Sequence, residues 1–150
     1  MADTYINIHL HIIFAVKSRG ALLADEWRDE LYAYIGGIAK NSGYMPVKIG
    51  GWRDHVHMLL GCGRQINISD LIKDIKLASS QWIQPKVRCA FFWQRGYGCF
   101  SISHTHVAAV AEYIANQSKH HATTSMTDEF RTLCAKNGIT FKNEYFFEEV

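Results

Sequence analysis

The fold of this chain is indicated by Asp54-His55-Val56-His57-Met58-Leu59-Leu60, a stretch with the alternation of a β-strand. Side chains of an extended strand alternate between its two faces, so His55 and His57 point to the same side. The opposite side is apolar and is formed by Val56, Met58 and Leu60. The stretch therefore predicts a buried strand that presents two imidazoles on one face.

A second stretch, Glu112-Tyr113-Ile114-Ala115-Asn116-Gln117, has the spacing of a helix. Tyr113 and Gln117 are four residues apart, which places them one turn apart on the same helical face. If that face meets the two histidines, the result is a metal site of two nitrogens and one amide oxygen beside a phenol. A histidine pair can arise by chance and a helical tyrosine usually packs in a core. The combination favours a site, because these residues are polar where a plain core would prefer aliphatic side chains.

Length and composition indicate one globular domain over residues 1–150. Apolar residues make up 48% of the chain and charged residues 20%, and no apolar run approaches the roughly 20 residues that a membrane span needs. The first residues lack the pattern of a secretory signal, so we expect a cytoplasmic protein. The four cysteines form no Cys-x-x-Cys pair and are expected to be reduced thiols. A net charge of +2 does not by itself indicate a nucleic-acid partner.

Hydrophobic periodicity predicts seven elements in the order strand, helix, strand, strand, helix, strand, helix. Their expected ranges are 4–16, 25–41, 45–52, 55–62, 69–84, 91–103 and 105–119. This order is the βαββαβ pattern of a ferredoxin-like or RRM-like α+β domain with an antiparallel sheet and an added C-terminal helix, which carries Tyr113. The first and third strands are central neighbours in that topology. His9 and His11 are therefore expected beside His55 and His57.

Several segments together match one family of proteins. They are His9-Leu10-His11-Ile12-Ile13-Phe14, Lys17-Ser18-Arg19, the HUH motif Asp54-His55-Val56-His57, Trp93-Gln94-Arg95-Gly96-Tyr97-Gly98-Cys99-Phe100-Ser101, Tyr113-Ile114-Ala115-Asn116-Gln117, and a tail with Asn137-Gly138-Ile139 and Glu144-Tyr145-Phe146. On these segments the chain resembles the single-tyrosine HUH transposases of the smallest bacterial insertion sequences, the IS200-like group, and their domesticated relatives associated with repetitive palindromes. The resemblance covers essentially the whole chain. The Tyr-x-x-x-Gln spacing downstream of the HUH motif makes the match specific.

The resemblance implies a role for each candidate residue. It implies that His55, His57 and Gln117 bind a divalent metal ion, Mg²⁺ or Mn²⁺, and that Tyr113 is the nucleophile. It further implies cleavage of single-stranded DNA with hairpin ends through a 5′-phosphotyrosine and a free 3′-hydroxyl, by a homodimer in which one subunit's tyrosine helix can complete its partner's site. Imidazole and carboxamide ligands suit Mn²⁺ at least as well as Mg²⁺, which prefers oxygen, so the identity of the ion stays open.

Side chains that could contact the DNA backbone are distributed along the chain. The candidates are Lys17, Arg19, Arg53, Lys73, Lys76, Arg95 and His120. Two of them, Lys73 and Lys76, lie on one flank of the predicted second helix, where a solvated charged face is the more usual explanation. His120 and His121 are expected to face phosphate or solvent rather than to bind the ion.

Two other functions are compatible with parts of this pattern. A non-catalytic module could bind single-stranded nucleic acid on the open sheet, as an RRM domain does, without cleavage and without metal. A zinc hydrolase could use His55, His57, His104 and His106, although no acidic residue has the spacing of known histidine-rich hydrolase motifs. The sequence favours the transposase, because two histidines, a tyrosine and a glutamine are all present at matching positions.

Overall fold

The computed structural model describes residues 3–17 and 21–142. Within these ranges the strands are β1 (Ile8–Ala15), β2 (Met45–Gly51), β3 (His55–Cys62) and β4 (Gly98–Ile102). The helices are α1 (Asp25–Asn41), α2 (Ile68–Ile83), α3 (Val107–Ala115), α4 (Gln117–His120) and α5 (Met126–Lys136). Single 3₁₀ turns at Gln84–Lys86 and His104–His106 follow α2 and precede α3.

The sheet is antiparallel and has the strand order β2-β3-β1-β4. This arrangement confirms the predicted α+β class and the prediction that the first and third strands are central neighbours. Ile13 lies opposite His57, and His11 lies opposite Leu59. Residues directly opposite in a register share a face, so His11 lies on the same side of the sheet as both HUH histidines.

The main core lies between one face of the sheet and helices α1 and α2. Its fully buried members include Ile12, Phe14, Val56, Met58, Leu60, Leu31, Ile35 and Ile75. Trp93 packs edge-on against Phe14, and its indole N–H donates to the Ser79 hydroxyl at 3.0 Å. Removal of this apolar surface from water holds the sheet and the two helices together.

A second, smaller core lies on the opposite face of the sheet. It joins Ile13, Ala15 and Phe100 to Met126, Phe130 and Cys134 of α5. Helices α1 and α2 leave this face free, as expected, and the structure covers it with α3 and α4 of the tyrosine segment and with α5, which was not predicted. The histidine face is consequently buried.

Local signals explain how two of the helices begin or end. Gly43 follows α1 with a φ of 90°, a left-handed conformation that glycine adopts readily and that commonly ends a helix. The Asn67 side chain caps α2 by accepting from the Asp70 backbone N–H at 3.1 Å, so α2 begins one residue before the predicted Ser69. No helix among the described residues has the length and apolar character needed to cross a membrane.

Four predictions about the elements were wrong in detail. The fourth strand spans only Gly98–Ile102, whereas residues 91–103 were expected. The first strand begins at Ile8 rather than at residue 4, since its ladder with β3 starts at Ile8 opposite Cys62. The third helix was expected to continue to residue 119, but α3 ends at Ala115 and the chain changes direction at Asn116, whose φ is −99° and ψ is 18°. The structure also adds α5, so the tyrosine-bearing helix is not the C-terminal one. Arg19 and the tail segment around Tyr145 lie outside the described residues.

Candidate active site

The two HUH histidines are fully buried on β3, and each has a fixed ring orientation. His55 Nδ1 donates to the Asp54 carboxylate at 2.7 Å, and His57 Nδ1 lies 2.7 Å from Nε2 of His11. Partners at both Nδ1 atoms direct both Nε2 atoms to the same space above the sheet. In metal sites such outer partners set the tautomer and orientation of a ligating histidine. Asp54 and His11 are therefore positioning residues for this pair.

Helices α3 and α4 bring a phenol and an amide to this space. Gln117 is buried, and its Oε1 lies 2.9 Å from His55 Nε2. The Tyr113 ring centroid is 5.8 Å from that of His57. The four side chains expected to form a site are thus neighbours within one chain, even though Asn116 interrupts the helix between Tyr113 and Gln117.

A glycine on β2 allows the tyrosine helix to lie this close to the sheet. A Cβ built at Gly50 would lie 2.8 Å from the Ile114 carbonyl oxygen and 2.9 Å from its Cγ2. Both separations are shorter than van der Waals contact. Because Ile114 follows Tyr113 directly, the missing side chain at residue 50 determines how closely the phenol approaches β3.

The sequence predictions missed Glu129, whose carboxylate lies at the centre of the site. Its Oε1 is 2.9 Å from His57 Nε2 and 3.4 Å from His55 Nε2. Its Oε2 accepts from the Tyr113 hydroxyl and, at 3.0 Å, from the Gln117 amide. Glu129 lies in the first turn of α5, a helix that the predictions did not include. The available signal was an acidic residue within the apolar stripe of Met126, Phe130 and Cys134.

His120 and His121 also face this carboxylate. His121 Nε2 lies 3.2 Å from Oε1 of Glu129, and the His121 side chain is only 3% exposed. His120 Nε2 lies 3.1 Å from Oε2 but is not aligned for a hydrogen bond. The prediction that these two histidines face solvent or phosphate was therefore wrong for His121, because α4 turns its ring inward over Glu129.

The burial and pairing of these groups shift their pKa values strongly. Burial works against the charge on His55, but hydrogen bonds to Asp54 and Glu129 outweigh it and raise the pKa to about 9. Burial lowers the pKa of His57 to about 4, with the neighbouring positive His55 acting in the same direction. Burial and the Glu129 carboxylate raise the pKa of Tyr113 above its usual value. Burial would raise the pKa of Glu129, but hydrogen bonds from His121, His55 and His57 outweigh it, so this carboxyl is ionised.

The donor set fits a divalent cation. Among the described residues, the ligand atoms of His55, His121 and Glu129 lie within 4.8 Å of one another, a spacing that one ion can bridge. His57 is not in this mutually close group, although its Nε2 lies 2.9 Å from Oε1 of Glu129. Imidazole nitrogens with carboxylate or amide oxygens are ligands for Mn²⁺ and other first-row ions, and for Mg²⁺ when waters complete the shell. Because a cation at Nε2 would displace a proton from His55, metal affinity should increase with pH.

The histidines of the zinc-hydrolase alternative lie elsewhere. His104 and His106 are exposed. His104 Nδ1 forms a hydrogen bond with the Asn7 amide at 3.3 Å, and His106 Nδ1 forms one with the Ser103 hydroxyl at 2.6 Å. They do not join the metal-compatible group found in the described part of the chain. This arrangement speaks against that alternative.

One candidate DNA contact, Lys76, is bonded to the protein backbone. Its ammonium group donates to the carbonyl oxygens of Gln94 at 2.8 Å and of Gly96 at 2.7 Å. Partial burial lowers the pKa of Lys76 to about 8. The exposed Arg95 lies between those two carbonyls, so Lys76 holds the loop that presents Arg95.

The remaining candidates in the described ranges lie on the surface. Arg53 lies over the Trp52 ring at 5.0 Å and is 3.8 Å from Asp25. Lys17 and Lys73 are exposed. Arg53, Lys17 and Lys73 are not among the buried residues around Glu129. If they bind DNA, they do so on the surface around the site.

Comparison with known proteins gives a consistent result. Residues 4–117 match the family model described as "Transposase IS200 like". The ISDra2 transposase TnpA of Deinococcus radiodurans is 28% identical over 118 residues, which is 74% of this chain and 84% of that protein. A crystal structure of a transposase from Deinococcus radiodurans R1 is 30% identical, has a TM-score of 0.58, and is matched over 78% of this chain and 96% of its own. A REP-associated tyrosine transposase bound to a REP hairpin shares the fold, with a TM-score of 0.63 at 11% identity over 100% of this chain and 98% of its own.

Proposed function

Because this chain belongs to the IS200-like transposase family, we propose that it cleaves and rejoins single-stranded DNA with Tyr113 as the nucleophile and with a divalent metal ion. The observation that carries the proposal is the convergence of Tyr113, Gln117 and both HUH histidines at one buried site. A plain core would place aliphatic side chains there, since unpaired polar groups are costly to bury.

In the proposed reaction, Tyr113 Oη attacks the phosphorus of a DNA phosphodiester. The bond from Oη to phosphorus forms and the bond from phosphorus to the 3′-oxygen breaks, while the phenol loses its proton and the leaving oxygen gains one. The products are a 5′-phosphotyrosine and a free 3′-hydroxyl, and attack by a 3′-hydroxyl reverses the step. No external energy source is required, because the covalent link conserves the phosphodiester energy.

Three residues of this proposal, His55, His57 and Gln117, would hold Mg²⁺ or Mn²⁺. The ion would polarise the phosphate and offset the charge that develops on its oxygens. The protein contributes orientation: Asp54 and His11 fix the two imidazoles, and Gly50 lets α3 place the phenol beside them. Because the pKa of Tyr113 is raised, its hydroxyl is protonated in the free protein. In this proposal it loses that proton only when the DNA and the ion are bound.

The substrate and assembly are proposed by analogy with the family. A single strand bearing a hairpin is the proposed DNA partner, in line with the relative bound to a REP hairpin. A homodimer is the proposed assembly. The position of Tyr113 beside the histidines of its own chain supports action within one subunit in this arrangement.

The decisive experiment is formation of a protein–DNA adduct that survives denaturation. A hairpin with a flanking single strand would be labelled at either end and incubated with Mn²⁺ or Mg²⁺. A 5′-phosphotyrosine predicts that the 3′-labelled fragment stays with the protein and that the 5′-labelled fragment is released.

The matched variants are Tyr113→Phe and Tyr34→Phe. Tyr34 lies on α1 and stacks on Trp82, on the other side of the sheet, so loss of its hydroxyl should leave adduct formation unchanged. Tyr113→Phe should abolish the adduct and retain hairpin binding, and chelation should do the same. An adduct retained by Tyr113→Phe would exclude this residue as nucleophile, whereas binding without any adduct in the wild-type protein would favour the non-catalytic module.

A further inference from the structure

Glu129 is the one buried acidic side chain in the described part of the chain. Its side chain is 1% exposed, and it lies in the first turn of α5, next to the exposed Asp128. Burial of a carboxylate is costly unless charges or hydrogen bonds compensate for it. Residues that serve only to attach α5 to the sheet could be apolar, as Met126 and Phe130 are. Packing alone therefore does not explain a buried carboxylate at position 129.

The two oxygens of this carboxylate face different groups. Oε1 faces three imidazole nitrogens, Nε2 of His57 at 2.9 Å, of His121 at 3.2 Å and of His55 at 3.4 Å. Oε2 faces the Tyr113 hydroxyl and the Gln117 amide. One oxygen thus lies with His121 and the two proposed metal ligands His55 and His57, and the other lies with the proposed nucleophile.

The separations around Oε1 match those between ligands of one ion. With metal–ligand bonds of about 2.1 Å, neighbouring ligand atoms are about 3.0 Å apart in an octahedral shell and about 3.4 Å apart in a tetrahedral one. The three Nε2 to Oε1 distances, 2.9, 3.2 and 3.4 Å, lie close to this range. In the structure without an ion, His57 and His121 form hydrogen bonds to Oε1 at two of these distances, and an ion would replace the protons between these atoms.

Charge gives a second, independent argument. Two imidazoles and one carboxamide are neutral ligands, so a divalent ion held by them alone would keep its full charge inside a buried site. Asp54 supplies a carboxylate only at the far side of the His55 ring. Glu129 lies where a carboxylate could neutralise half of the ionic charge directly.

We propose that Glu129 is a ligand of the same divalent cation as His55 and His57, with Oε1 on the ion and Oε2 left to accept from Tyr113. The inference rests on the proposed function, since it assigns a further ligand to that site. It has a structural consequence as well, because the ion would then link β3 to α5. Metal binding should increase the thermal stability of the whole domain.

The test measures Mn²⁺ affinity by calorimetry or electron paramagnetic resonance, without DNA. Loss of an outer partner of a ligand costs about 10–100-fold in metal affinity, so Glu129→Ala, which removes a direct ligand, should cost at least about 100-fold. Glu129→Gln keeps the shape and an amide oxygen but loses the charge, and it should cost at least about tenfold. Asp128→Asn removes the same charge from the same helical turn at an exposed position and should change the affinity by less than about threefold.

The opposite result has a distinct meaning. If Glu129 only fills the site and must leave before an ion enters, both Glu129 variants should bind Mn²⁺ as well as or better than the wild-type protein, and that outcome would overturn the inference. Glu129→Gln, checked by circular dichroism, serves if Glu129→Ala does not fold.

His57→Ala separates this inference from the proposed function. If the wild-type protein binds Mn²⁺, and binding is lost in His57→Ala but kept in Glu129→Gln, only the role of Glu129 is refuted. If the wild-type protein does not bind Mn²⁺ or Mg²⁺ at all, the metal-dependent function and this inference fail together. Support consists of Mn²⁺ binding by the wild-type protein, retained in Asp128→Asn and weakened in both Glu129 variants.

Discussion

Gly50→Ala perturbs the tyrosine helix without altering any residue of the site. The new Cβ would lie 2.8 Å from the Ile114 carbonyl oxygen and 2.9 Å from Ile114 Cγ2. Gly50 lies opposite His57 in the β2–β3 ladder, so the strand has little freedom to retreat. The structure can relieve the clash mainly by moving α3, and Tyr113 moves with it.

The size of the effect follows from these distances. Ordinary van der Waals contact begins at 3.4 Å, so α3 must move away from β2 by about half an ångström. Overpacking of this kind costs about 1–3 kcal/mol, and roughly 0.5–1 kcal/mol is recovered because alanine has less freedom than glycine in the unfolded chain. The net cost is then at most about 2.5 kcal/mol, and the melting temperature should fall by up to about 10 °C. A misplacement of about 1 Å can cost roughly 100-fold in rate, so a shift of half that size should slow adduct formation about tenfold.

Two assays separate the parts of this prediction. Thermal unfolding followed by circular dichroism reports the packing cost, and the initial rate of adduct formation on a labelled hairpin reports the position of Tyr113. Gly37→Ala is the matched control, since Gly37 lies in α1 and a Cβ there meets no atom within 4 Å. That variant should gain about 0.5–1 kcal/mol of stability with an unchanged rate. Wild-type stability together with a wild-type rate in Gly50→Ala would refute the claim that this glycine sets the position of α3.

Two further predictions concern stability. In the absence of metal, burial lowers the pKa of His11 to about 3 and of His57 to about 4, both below the value of 6.5 for the unfolded chain. Their contribution to stability is present above pH 6.5 and is lost as the pH falls from there through the folded values. The loss is up to about 1.4 kcal/mol per pH unit for each histidine. Melting temperatures measured between pH 7 and 5 should show this decline, and His11→Leu should reduce its slope; a flat profile would contradict the shifts. Ser79→Ala leaves the buried Trp93 N–H without its acceptor and should cost about 1–3 kcal/mol in urea unfolding. Ser80→Ala, which loses only a bond to its own helix, should cost less than about 0.5 kcal/mol, and equal costs for the two variants would contradict the role of Ser79.

The sequence was enough to predict which side chains of β3 share a face and that Tyr113 and Gln117 lie on the same side of their segment, because both depend on local spacing. Alternation in residues 55–60 determines which side chains of β3 share a face, and strand β3 carries that pattern without interruption. Spacing of four residues likewise placed Tyr113 and Gln117 on one side of their segment. The helix is interrupted at Asn116, but the side chains of Tyr113 and Gln117 still converge on the Glu129 carboxylate.

Glu129 could not be recognised as a site residue from the sequence alone. Glu129 is one of 14 acidic residues, and its only local signal is its position within the apolar stripe of Met126, Phe130 and Cys134, which does not show what the carboxylate contacts. Its burial depends on α5 packing Met126 and Phe130 against Ile13 and Phe100 of the sheet. These residues are far apart in the sequence, and local patterns do not show which of them will pack together.

The sequence and the tertiary structure also determine different parts of the surroundings of the HUH histidines. The sequence by itself determined that two imidazoles share one face of a strand, since backbone geometry imposes that alternation wherever a strand forms. Only the tertiary structure decided which atoms complete the site: His11 on Nδ1 of His57, His121 turned inward, and Glu129 between the histidines and Tyr113. The physical reason is that these partners come from separate elements, and their distances depend on how the helices pack rather than on spacing along the chain.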